Sequence, residues 1–185
     1  MLYLLLSCCL GLAFVFGLSA ASKAGRRAFQ DFAASAGPLE VLPKALRVPA
    51  ARAVVAAEGV ITVALVVGAG AALTKTLEPV AVLGFALAVL LLLAFTGAIV
   101  VTLRRGVRKA CKCFGASSTP LGRAHVVRNV LLLALAVAGL VATTSPNTTV
   151  EPAGVAMAVV AGLITGLLIT RFDDLIDLFS PLEVN

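Results

Sequence analysis

The chain has 185 residues, 61% of apolar type and 13% charged, with a formal net charge of +6 and a mean hydropathy of +1.09. Soluble domains are about half apolar and about a quarter charged, so this composition excludes an ordinary soluble globule and points to lipid as the solvent. The basic excess holds no Lys/Arg tract interleaved with aromatics and no zinc-finger spacing, which argues against a nucleic-acid partner.

A membrane span needs about 20 mainly apolar residues. The first such run is 2–21, uncharged throughout. It lacks the basic start of a signal peptide and reads as a retained helix. Cys8 and Cys9 lie in it. They read as small apolar packing residues, with an outer thiol station as the sharper alternative.

A basic connector follows. Phe29, Phe32, Ala33 and Ala36 recur at helical spacing, with Arg26, Arg27, Gln30 and Asp31 on other faces. That pattern predicts a short amphipathic helix in the headgroup region, serving as an ordinary connector. Pro38, Pro43 and Pro49 should break the chain before the second span, 53–73. Glu58 is the one carboxylate inside a span, and such residues are functional suspects.

The third span is 80–103. The fourth, 126–142, is interrupted early by Arg128 and Asn129 and is the least secure. The fifth is 153–170, after a polar loop that contains the formal sequon Asn147-Thr148-Thr149. Gly162 and Gly166 sit four apart in it, spacing that allows close helix approach within the bundle or in a homo-oligomer. An acidic tail with Asp173, Asp174, Asp177 and Glu183 closes the chain. The expected fold is all-α: a polytopic transmembrane helical bundle of four to five spans with a short amphipathic interfacial helix.

Charge sets the expected orientation. Lys23, Arg26, Arg27, Lys44, Arg47 and Arg52 fall between the first two spans. Arg104, Arg105, Arg108, Lys109, Lys112, Arg123 and Arg128 fall around the link between the third and fourth, and the other loops hold only Lys75. Basic loops stay cytoplasmic. The N-terminus is then outside and the second basic loop inside, in a bacterial cytoplasmic membrane.

That loop carries the sharpest motif, Cys111-Lys112-Cys113-Phe114-Gly115. Two thiols one residue apart can join only in a tight ring, and strained disulfides are the exchange-prone ones. Arg108, Lys109 and Lys112 favour the thiolate. A reactive dithiol is therefore expected. Metal binding by Cys111, Cys113 and His125 is a rival, although a Cys-x-Cys bite is unusual for structural zinc. No metal or cofactor is expected. Two ordinary reduced cysteines are the bland alternative. Glu58 and Arg128 lie at similar depth, so an ion pair between them, with Asn129 nearby, would support the loop or move its proton.

The run Cys111-Lys112-Cys113-Phe114-Gly115, then Pro120, then Arg128-Asn129 before a Leu-rich helix resembles the signature of MauE-type membrane proteins, within the wider DoxX-like group. Ser19 and Lys23 resemble that group's Ser-Gly-x-x-Lys element, with Ala20 where Gly is usual. Phe29 resembles its following aromatic and Glu58 its carboxylate. Lys112 stands where a Gly is expected. The resemblance covers 1–142, leaving 143–185 as a hairpin loop, last helix and acidic tail.

The resemblance implies a redox-associated protein supporting maturation of a disulfide-rich extracytoplasmic client, methylamine dehydrogenase in the family, with a thioredoxin-like, MauD-like partner. The client lies outside while the charge pattern puts Cys111 and Cys113 inside, so the expectation includes a relay across the membrane. A non-enzymatic membrane scaffold or assembly factor is the second reading. A small-solute transporter, prompted by Glu58, is the third.

Overall fold

The computed structural model describes residues 1–34, 42–74, 78–105, 123–144 and 150–172. Among them there are six helices: α1 Leu2–Ser22, α2 Arg26–Ala34, α3 Lys44–Thr74, α4 Glu78–Arg104, α5 Arg123–Ala142 and α6 Pro152–Thr170. All but α2 are long and apolar enough to cross a membrane. The fourth span, the least secure in the sequence, is thus a full helix, and the chain is a multi-pass membrane protein.

Helices α1, α3, α4 and α5 form a ring in that order, with α5 closing back on α1. Helix α6 stands outside the ring, against α1. This makes α1 the hub, touched by α3, α5 and α6. Its composition allows this: it is apolar all round, as a helix buried on several sides must be. Leu6, Leu12, Val15 and Phe16 are buried within it and meet Ile61, Leu65, Phe85, Leu92 and Leu132 in one core.

Hydrocarbon solvates α1 and α6 equally, so apolar burial alone does not dock them, and close packing must supply the attraction. A Cβ added at Gly162 would sit 2.6 Å from the Ser7 carbonyl oxygen, and one at Gly166 2.9 Å from that of Gly11. The Gly162/Gly166 pair therefore presses on α1 of its own chain. Ser7 Oγ donates across the seam to the Ala158 carbonyl at 3.0 Å. The Glu151 backbone N–H donates to the Tyr3 hydroxyl at 3.1 Å. Contacts run Tyr3 to Gly154, Ser7 to Gly162 and Gly11 to Gly166, so the two helices are parallel.

One expectation is corrected. Pro49 does not end the chain's approach to the second span; it lies inside α3, which starts at Lys44. Proline removes one N–H from the ladder and crowds the carbonyl four residues back. That carbonyl belongs to Ala45, and both Ala45 and Pro49 are exposed, so solvent or headgroups can satisfy it. The helix continues because the defect falls near its start.

Candidate functional site

The ends of α1 and α4 and the starts of α3 and α5 share one end of the ring. Arg26, Arg27, Lys44, Arg52, Arg104 and Arg105 are exposed there, making it the basic end. Inside it lies a group of buried polar side chains: Ser19, Lys23, Glu58, His125, Arg128 and Asn129.

Glu58 is 0% exposed and Lys23 only 3%. Lys23 Nζ donates to Glu58 Oε1 at 2.7 Å and to Oε2 at 2.9 Å. It also donates to Ser19 Oγ at 2.6 Å. Ser19 Oγ in turn donates to Glu58 Oε1 at 2.9 Å. An ammonium has three protons to give, and three oxygens receive them. Ser19 and Lys23 are four apart on α1, so they share a face and reach α3 together.

Burying a charge is costly unless it is paired and hydrogen-bonded. This cluster meets both conditions. The Phe32 ring of α2 adds a further contact, its centroid 4.8 Å from Lys23 Nζ. A cation over a ring face gains about 2 kcal/mol when desolvated. Helix α2 reaches this position because Phe32 and Ala33 pack on Ala51 of α3, flanked by Phe29, Leu42 and Val54. The short amphipathic helix is therefore present as expected, but it also contributes a side chain to the buried pair.

The partner of Glu58 differs from the sequence expectation. The ion pair is with Lys23, not with Arg128. Helices α3 and α5 stand across the ring from each other, whereas α1 and α3 are neighbours. Arg128 is buried on α5, within electrostatic range of Lys23. Asn129 beside it is buried too, and its Oδ1 accepts no hydrogen bond from the described residues. His125 is buried one turn earlier. Similar depth thus brought Glu58, Arg128 and Asn129 to one end of the bundle without making them direct partners.

Cys111 and Cys113, with Arg108, Lys109 and Lys112, lie outside the described residues. The chain that carries them leaves α4 after Arg104 and enters α5 at Arg123, both at the basic end. Cys8 and Cys9 are free thiols and fully buried in the core, which matches the packing reading of that pair. Among the described residues no group of three His, Cys, Asp or Glu could hold a metal ion.

Sequence reasoning missed two members of the cluster. In the sequence Phe32 reads only as part of an amphipathic face. Ser19 stands out only as a family element, although its spacing of four from Lys23 is a usable signal.

The family model described as "Methylamine utilisation protein MauE" matches residues 1–142. That stretch holds the whole ring, the buried cluster and the Cys-Lys-Cys motif, and ends where α5 ends. No curated protein and no solved structure matches.

Proposed function

The chain belongs to the MauE family, and on that premise we propose that it is a thiol–disulfide redox component of the bacterial cytoplasmic membrane, with Cys111 and Cys113 as the exchanging pair. The carrying observation is the dithiol itself, one residue apart, inside the family-matched region and beside Arg108, Lys109 and Lys112. Cations stabilise the thiolate, the form that attacks.

The exchange balances as follows. One thiolate of the pair attacks the disulfide of a thioredoxin-like partner, forming a mixed disulfide and releasing a partner thiolate. The second cysteine then attacks the mixed disulfide. This leaves Cys111 and Cys113 oxidised and the partner as a dithiol. In reverse, the same steps reduce the pair and oxidise the partner. The strain of so small a ring favours return to the dithiol, suiting a carrier that does not retain its disulfide.

In this reading the buried cluster has a holding role. Lys23, Ser19 and Glu58 lock α1 to α3, while Arg128 and Asn129 present polar groups at the start of α5, next in the chain after the dithiol segment. The client is an extracytoplasmic protein whose disulfides must mature, of the methylamine dehydrogenase type. With the basic loops cytoplasmic, electrons pass across the membrane between the dithiol and that client through a further carrier. A scaffold function with idle cysteines is the rival class.

The test is trapping. In cells, Cys113→Ser should accumulate a mixed disulfide through Cys111, visible as a heavier band that reductant collapses, or Cys111→Ser should do so through Cys113. Absence of any such band in both variants, with full function in each, would leave the scaffold reading standing.

A further inference from the structure

The contact between Phe32 and Lys23 goes beyond the holding role of the ion pair. We infer that Phe32 is a positioning residue of the buried site: its ring face, carried in by α2, fixes the Lys23 ammonium on Glu58.

Lys23 caps α1: its backbone N–H bonds back to the Ala20 carbonyl at 3.1 Å and that of Ala24 to the Ala21 carbonyl at 3.2 Å, where the helical ladder ends. These bonds hold the backbone and do not fix where the long Lys23 side chain goes. Only Ala24 and Gly25 separate it from α2, whose Phe29 N–H bonds to the Gly25 carbonyl at 2.8 Å. The chain turns at once and brings Phe32 back over the residue it has just left.

A helix serving only to float α2 in the headgroups would direct its aromatics at lipid. Here Phe32 is buried against α3 and its ring covers the ammonium. The negative face of the ring attracts a cation, and it excludes water from hydrogen bonds that are stronger in a low dielectric. Both effects hold Lys23 on Ser19 and Glu58 rather than letting the side chain snorkel to the basic surface close by.

This inference rests on the holding role of the Lys23–Glu58 pair and not on the thiol chemistry. The two can fail separately: trapping at Cys111 and Cys113 reports on one, and the protection of Lys23 on the other.

The experiment is reductive methylation of the full chain in native membranes with formaldehyde and a borohydride, read by mass spectrometry at Lys23 relative to the exposed Lys44. Lys23 should be protected in the natural protein and in Phe32→Trp, which keeps an aromatic face. Phe32→Leu keeps an apolar cover without the face, and its Lys23 methylation should rise roughly thirtyfold, the scale of a desolvated ring-face contact. Trifluorophenylalanine installed at 32 keeps the ring's shape and weakens its negative face, so it should give an intermediate rise even if Phe32→Leu does not fold. Equal protection in Phe32→Leu and the fluorinated variant, or a natural Lys23 as reactive as Lys44, would overturn the assignment.

Discussion

The Lys23 ammonium meets the Glu58 carboxylate at 2.7 Å between α1 and α3, with both side chains out of reach of solvent. Removing one partner strands the other as a buried charge, which costs about 3–5 kcal/mol. Lys23→Met and Glu58→Met should each lower the melting temperature sharply in detergent. The double variant strands neither member of the pair and should recover most of the loss. Additive losses in the double variant would show that the two do not act as a pair.

Ser19 donates to Glu58 and accepts from Lys23. Ser19→Ala leaves the ion pair in place but removes one of the two donors to Glu58 Oε1 and leaves one buried Lys23 proton without its acceptor. The expected cost is about 1–3 kcal/mol, smaller than for either charged partner. A melt series of the three single variants checks the ranking.

The α1–α6 seam depends on the absence of a side chain at Gly162. Gly162→Leu would drive its Cβ against the Ser7 carbonyl and should separate α6 from the bundle. A loss of at least about 1–3 kcal/mol follows from overpacking. Gly70 meets nothing within 4 Å where a Cβ would stand, so Gly70→Ala should be neutral in the same assay.

Cys8 and Cys9 are sealed in the core. A maleimide should modify neither in the native protein and both after denaturation. The Cys8→Ala/Cys9→Ala double variant should keep whatever thiol exchange the natural protein performs. Lost exchange in that variant would restore the idea of an outer thiol station.

The spans were legible because a run of about 20 apolar residues has few alternatives to crossing a membrane. The amphipathic face around Phe29 and Phe32 was legible from spacing. The partner of Glu58 was not. Charge and position along a span give the depth of Arg128, but not which helices adjoin α3, and the ring order put α1 there. Phe32 was hidden for the same reason: periodicity gives the face of a helix and not what that face meets. Pro49 misled because a breaker is harmless near an exposed helix start.

In the proposed redox role, Cys111 and Cys113 cycle between dithiol and disulfide. The direct measurement is alkylation in the Cys8→Ala/Cys9→Ala variant, with cells acid-quenched to freeze thiol states and modified with and without prior reduction. A fraction should resist alkylation until reductant is added, growing when cells meet an oxidant and shrinking when they meet a reductant. Two thiols fully alkylated under every condition would contradict it and make the cysteines bystanders.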